Sequence, residues 1–223
     1  MIIVNGAGSR LANQFIFNSP NSRFLAISRD TAFDLPNVDS VNIENNTELE
    51  QVLENLHDTE MVWLNFQAIK LDELLISTTT NQLRQSFEIN FFKNFIAAKI
   101  LIPKMIKQKK GKFIFIDSVR SMMGDVGCTS YSTSKSANRP LMQSIVKEYS
   151  RFNITCNTIA IGFADTPMLN VISEDKKKSL LKDVPGKKII DFNDLNSTIK
   201  FIIENDSVNG QIIDLAGGLR NSG

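Results

Sequence analysis

Short apolar runs rich in Ile, Val and Phe alternate with stretches of helical periodicity from one end of this chain to the other. That alternation constrains the fold more than any other feature. Residues 1–4 read as a strand, the Gly6-Ala7-Gly8 segment as a turn and residues 9–18 as a helix. Residues 24–28 read as a second strand and residues 40–43 as a short third one. A helix over about 46–56 follows, then a fourth strand at 61–64. Residues 80–107 carry one long helical pattern, with Leu83, Phe87, Phe91, Phe95, Ala98 and Ile102 on related faces. A fifth strand is expected at 112–116 and a helix over about 130–152, kinked at Pro140. A sixth strand at 154–159, a helix near 194–204 and a last strand at 211–215 complete the pattern. Strands separated by helices imply a parallel sheet covered on both faces, and right-handed crossovers make it doubly wound.

Composition narrows the functional classes. The 223 residues suit one domain, and 42% apolar residues suffice for a core. Twenty-five Lys and Arg against 24 Asp and Glu leave a formal charge of +1, so no general field draws the chain to nucleic acid or an anionic membrane. No apolar run approaches a bilayer span. The N-terminus enters a strand and reaches a glycine turn within six residues, unlike a secretory leader, and a cytoplasmic protein is expected. Cys128 and Cys156 make neither a disulfide framework nor a metal site. The one histidine, His57, sits in a polar helical stretch and reads as exposed, which argues against Ser-His-Asp catalysis and against a metal centre. The basic cluster at 107–112 reads as the solvated cap of a helix end.

Three clusters carry chemistry. A glycine turn between the first strand and the first helix lets backbone amides and the positive helix end approach a pyrophosphate. Tyr131 and Lys135, four apart, lie on one helix face. An ammonium beside a phenol favours the phenolate and makes the tyrosine an acid or base near neutrality. Ser118 ends an apolar strand, where doubly wound sheets bind ligands. Asn90 stands inside the long helix, a position where asparagine usually faces water.

With these residues at this spacing the sequence resembles the short-chain dehydrogenase/reductase family, in its standard-length branch, and most of all the 3-oxoacyl-carrier-protein reductases. Residues 5–12 lie where the family has its TGxxxGxG turn, and Asn65-Phe66-Gln67-Ala68 where it has NNAG. Asn90, Ser118, Tyr131 and Lys135 fall on its four catalytic positions. Ile161-Gly162-Phe163 and Thr166 stand where it has PG and a cofactor-binding threonine, and Asn209-Gly210-Gln211 and Gly217-Gly218 match its C-terminal motifs.

The resemblance implies a single Rossmann-type α/β domain over residues 1–223. Its sheet has about seven parallel strands in the order 3-2-1-4-5-6-7, with a cofactor half to about residue 110 and a catalytic half beyond. It also implies hydride transfer between a nicotinamide and a carbonyl or alcohol carbon. Tyr131 would protonate the oxygen, Ser118 would hydrogen-bond it, Lys135 would bind the ribose and lower the phenol's pKa, and Asn90 would hold a relay water. Cofactor contacts carried over are Gly6, Gly8, Ser9, Arg10, Leu11, Arg29, Asn42, Asn65, Phe66, Gln67, Tyr131, Lys135, Gly162 and Thr166, with no metal. Ser28-Arg29 at the end of the second strand favours NADP(H) over NAD(H), the arginine pairing the 2′-phosphate; Asp30 is the competing reader of the ribose.

Arg10 and Ala12 replace the family's second and third turn glycines, NNAG has become NFQA, and Ile161 replaces a proline. These departures predict weakened cofactor binding, with Arg10 crowding the pyrophosphate. They leave a second class open: a relative that keeps the fold for binding or assembly. Met122, Met123, Met168 and Leu169 give the substrate region a partly apolar character, and a 3-oxoacyl thioester, a keto sugar or another small ketone all fit. Phe87, Phe91, Phe92, Phe95 and Ile96 cannot all face one sheet, so a homodimer or homotetramer is expected.

Overall fold

The computed structural model describes residues 1–57, 60–164 and 181–219. Seven strands form one parallel sheet in the order β3-β2-β1-β4-β5-β6-β7. They are β1 Ile2–Asn5, β2 Phe24–Ser28, β3 Val38–Asn42, β4 Val62–Asn65, β5 Gly111–Ser118, β6 Ile154–Ile161 and β7 Ile212–Leu215. The helices are α1 Arg10–Phe17, α2 Asn46–Glu54, α3 Thr80–Phe87, α4 Lys93–Gln108, α5 Arg120–Met123, α6 Thr129–Ser136, α7 Asn138–Tyr149 and α8 Phe192–Glu204. None of the described helices is long and apolar enough to cross a membrane.

Successive strand residues point to opposite faces, and each face carries its own core. Ile3, Leu25, Trp63, Phe113 and Phe115 pack against α2, α4 and α7 through Leu49, Leu53, Leu101, Met105, Met142 and Ile145. Val4, Ala26, Leu64, Ile114 and Ile116 pack on the other face against Phe15 and Ile16 of α1 and Leu195, Ile199 and Ile202 of α8. All eight residues of β5 are buried, which fits a central strand covered on both sides.

Three details differ from the sequence-based expectation. The long helix is interrupted: Glu88–Phe92 form a π-helical turn between α3 and α4. Leu83, Phe87, Phe91 and Phe95 recur every four residues rather than every 3.6, and a wider turn brings that spacing back onto one face. The expected kink at Pro140 is instead a break at Ala137 between α6 and α7. Pro140 falls in the first turn of α7, where its missing N–H has no intrahelical partner to lose. Lys112, expected among solvated charges, is 4% exposed at the start of β5 and pairs with Asp206. His57 is exposed beyond the end of α2.

Candidate functional site

The carboxyl ends of β1, β2 and β4 open onto a cleft of about 680 Å³. Its walls include Asn5, Gly6, Gly8 and Ser9 from the first turn, Ser28, Arg29 and Asp30 from the end of β2, and Phe66, Gln67, Ala68 and Ile69 after β4. Ser9 caps α1, its hydroxyl accepting from Ala12 N at 3.2 Å. The positive helix end therefore faces the cleft. Gly6 has φ +76°, and a Cβ there would stand 2.6 Å from Gln67 N. At Gly8 a Cβ would meet the Thr31 hydroxyl at 2.7 Å. Both glycines let neighbouring loops close over the turn, a packing reason that holds with or without a ligand.

The end of β2 is a built corner. Ser28 Oγ donates to Thr31 O at 2.7 Å and accepts from Thr31 N at 2.9 Å, which presents Arg29 and Asp30 at the cleft rim, both exposed. Asn42 makes a hydrogen bond with the Ser28 hydroxyl. Arg10 and Leu11 start α1 and are not among the residues that line the cleft. Ala12 is fully buried, its methyl part of the core. Gly162 is held by its N–H on Leu215 O at 2.8 Å. Asn209 Oδ1 accepts from Cys156 N at 2.9 Å, so the C-terminal Asn-Gly-Gln segment ties the chain to β6. Thr166, Met168 and Leu169 lie outside the described residues.

The four candidate chemical residues meet beside this cleft. Ser118 ends β5 beside Tyr131 on α6, near enough for its hydroxyl to draw the phenol's pKa down. Lys135, one turn further, is 2% exposed; its Nζ donates to Ile116 O at 2.9 Å and reaches Gln67 O at 3.5 Å. Asn90 sits in the π-helical turn, and its side chain faces inward rather than to water. Its Oδ1 accepts from Ile69 N at 2.8 Å, and its Nδ2 donates to Ile69 O at 3.0 Å and to Ser134 Oγ at 2.9 Å. The helix widens where Asn90 clasps the cleft wall, so a polar side chain that would normally be solvated is satisfied by protein.

Electrostatics departs from the expectation for Tyr131. Burial, and then the Asp117 carboxylate, push its phenol above the ordinary value, while the Ser118 hydrogen bond and Arg120 work the other way. Lys135 is bonded to a backbone carbonyl and feels the charge of Asp117. Burial lowers its own pKa, and the Asp117 charge partly restores it. Asp117, one residue before Ser118, is 4% exposed. Burial pushes its carboxyl up to about 6, against the pull of Lys135 and hydrogen bonds from Ser118 N and Ser121. A protonated phenol across neutral pH is a proton donor, the state that reduction of a carbonyl needs.

Sequence reasoning missed a chain of asparagines beneath the cleft. Asn5 Nδ2 donates to Asn65 Oδ1 at 2.8 Å, and Asn65 Nδ2 donates to Asn94 Oδ1 at 2.9 Å. Asn94 Oδ1 also accepts from Trp63 Nε1 at 2.9 Å, and its Nδ2 donates to Asn138 Oδ1 at 2.9 Å. Asn138 Nδ2 in turn donates to Asn90 O at 3.1 Å. The available signal was Asn94 itself, a polar residue one turn past Asn90 in an otherwise largely apolar helix.

Comparison with known proteins gives one consistent picture. Residues 40–177 match the family model of the short chain dehydrogenases. The 3-oxoacyl-[acyl-carrier-protein] reductase FabG of Buchnera aphidicola is 32% identical over 160 residues, 71% of this chain and 65% of that protein. The reductase of the same name from Salmonella typhimurium is 26% identical over 80% of this chain and 75% of its own length. Among solved structures, one described as ElxO with NADP bound superposes with a TM-score of 0.87 at 17% identity, over 99% of this chain and 98% of that one.

Proposed function

The chain belongs to the short-chain dehydrogenase/reductase family, and on that premise we propose that it is an NADP(H)-dependent reductase of a carbonyl group, with a 3-oxoacyl thioester as its substrate. The observation that carries this reading is the grouping of Ser118, Tyr131, Lys135 and Asn90 behind a dinucleotide-sized cleft, with Lys135 and Asn90 bonded to Gln67 and Ile69 of its wall. The cleft fits such a cofactor. It has a capped helix end and close-packed glycines for the pyrophosphate, and an exposed arginine at the rim for a phosphate on the ribose.

When bound, the nicotinamide supplies the hydride that reaches the carbonyl carbon. The Tyr131 hydroxyl donates the proton to the carbonyl oxygen. The Ser118 hydroxyl, beside the phenol, holds that oxygen in place. Asn90 fixes Ile69, and Lys135 braces Gln67, so the cleft wall and the proton donor are positioned by the same residues. The loop at 71–78 packs on the one leading to α6: Glu73 N donates to Gly127 O at 2.9 Å, and Ser130 Oγ to Leu71 O at 2.9 Å. Leu74, Leu75, Ile76 and Val126 are exposed on these two loops and Met123 at the end of α5, an apolar approach that suits an acyl chain better than a sugar.

The test is NADPH consumption with short 3-oxoacyl thioesters, run beside a panel of keto sugars. Thioester turnover is expected. Turnover of the sugars alone would overturn the substrate assignment, and turnover of neither would favour a fold kept for binding. That second reading draws on one observation, the Lys135 ammonium bonded to Ile116 O.

Cofactor choice has its own test. Arg29→Ala is expected to weaken NADPH binding roughly ten- to a hundredfold, the worth of a charge-assisted pair at about 1.5–3 kcal/mol, and to leave NADH unchanged. Calorimetry on both cofactors checks this. Wild-type protein that binds NADH as tightly as NADPH would make Asp30 the reader of the ribose.

We further propose that α4 pairs with a second copy. Phe92 and Phe95 are 38% and 45% exposed, and the rings of Phe87, Phe91, Phe92 and Phe95 run in contact along this surface. Light scattering at micromolar concentration should give a dimer or tetramer; a monomer mass would contradict the pairing.

A further inference from the structure

Arg120 follows Ser118 by two residues and opens α5. Its backbone N–H donates to Ser118 Oγ at 3.3 Å. Its side chain reaches the other elements that border the site. Nη1 donates to the sulfur of Cys128, the residue directly before α6, at 3.5 Å, and stands 3.1 Å from Asp125 Oδ2. The guanidinium also lies over the Phe163 ring just beyond β6, 5.4 Å from its centroid. One cation at the end of β5 thus spans the start of α6 and the end of β6. It is near enough to the Tyr131 phenol for its charge to favour the phenolate.

The contacts of Arg120 leave donors to spare. Nη1 makes both polar side-chain contacts; among the described residues neither Nε nor Nη2 has an acceptor, and the side chain is 23% exposed. Phe163 and Asp125 fix the plane of the group, so the remaining N–H bonds point in set directions. The charge around them is balanced. Asp125 pairs with Arg120, and Lys70 pairs with Asp72, whose Oδ2 lies 3.8 Å from Cys128 Sγ. A carboxylate entering here meets two carboxylates already in place, whereas a neutral carbonyl oxygen takes the donor without that repulsion. A 3-oxoacyl thioester carries such an oxygen, on the carbon two beyond the ketone. Its donor has to stand beside the hydroxyls of Ser118 and Tyr131 that take the ketone oxygen, which is the place of Arg120.

We propose that Arg120 is a specificity-determining residue that donates to the thioester carbonyl while Ser118 and Tyr131 hold the ketone oxygen, so that the site selects ketones with a second carbonyl two carbons away. This rests on the thioester reading above and deepens it.

The test compares kcat/KM for 3-oxobutyryl-N-acetylcysteamine with that for its thioether analogue, in which a methylene replaces the thioester carbonyl. Wild type, Arg120→Leu and Arg120→Lys are assayed with NADPH, beside a thermal melt of each. The wild-type preference for the thioester is expected to fall about ten- to a hundredfold in Arg120→Leu, the usual worth of a hydrogen bond from a charged donor. It is expected to fall by a smaller factor in Arg120→Lys, which keeps the charge but not the planar fork. A preference that holds in the variants would overturn the proposal. So would an equal loss on both substrates, which marks an arginine that only braces the site. If Arg120→Leu does not fold, Arg120→Lys decides by the same criterion. Faster wild-type turnover of the free 3-oxo acid than of the thioester would make the arginine a carboxylate reader and overturn the proposal equally. Wild type that reduces the thioether ketone but not the thioester would instead remove the thioester reading, and this inference with it.

Discussion

Replacing Tyr131 by phenylalanine is expected to lower kcat by about 10²–10⁴-fold, the worth of a positioned general acid, while the protein stays folded. The ring keeps its packing on α6, and only the hydroxyl beside Ser118 is lost. The loss should appear in the direction of carbonyl reduction, where a protonated phenol is required. Burial and Asp117 keep Tyr131 protonated through neutral pH, so the wild-type enzyme holds it in the donating form. The measurement is steady-state NADPH consumption beside a thermal melt. An unchanged kcat would remove Tyr131 from the mechanism. A collapsed melt would show instead that the hydroxyl is structural, and Ser118→Ala would then be the variant that probes the oxygen-holding contact.

Replacing Asn94 by leucine is expected to destabilise the fold by about 3–5 kcal/mol, more than a typical point substitution. The side chain serves three buried partners: Trp63 Nε1, Asn65 Nδ2 and Asn138 Oδ1. Each is left without its bond, at a cost of about 1–3 kcal/mol per group, partly offset where a partner retains a second contact. For a chain of this size the melting temperature should fall on the order of 10 °C. Activity should fall as well. Asn65 Oδ1 accepts from Gln67 N at 3.0 Å on the cleft wall, and Asn138 holds the carbonyl of Asn90. A thermal melt of Asn94→Leu that matches wild type would show that the asparagine chain does not hold the site together.

Much of this architecture was legible in the residues alone, because its causes are local. Runs such as 111–118 are apolar enough to be buried on both faces, and each is followed by a helical pattern, so a parallel sheet is the economical arrangement. Tyr131 and Lys135 share a helix face by spacing alone, and Ser118 ends a strand, so three of the four candidate residues could be placed from sequence and family likeness. The third-strand start, the break at Ala137 and the burial of Lys112 were not legible. In each case packing against a neighbouring element decided where an ambiguous stretch began, broke or was buried.

What only the tertiary structure decided is which polar groups meet. Asn65 and Asn94 are 29 residues apart, Asn90 and Ser134 are 44 apart, and Asn138 reaches Asn90 across 48. Periodicity describes how one element presents its own face and carries no information about what another element brings against it. The same limit explains the electrostatics. The spacing of Tyr131 and Lys135 implied a lowered phenol, but desolvation of the phenol, and then the Asp117 charge from a different element, reverse the sign. Lys93 reads in sequence as one more helix charge. Its low exposure and its place on the cleft exist only once α4 packs against α2, because desolvation depends on everything that surrounds a group rather than on the residues beside it in the chain.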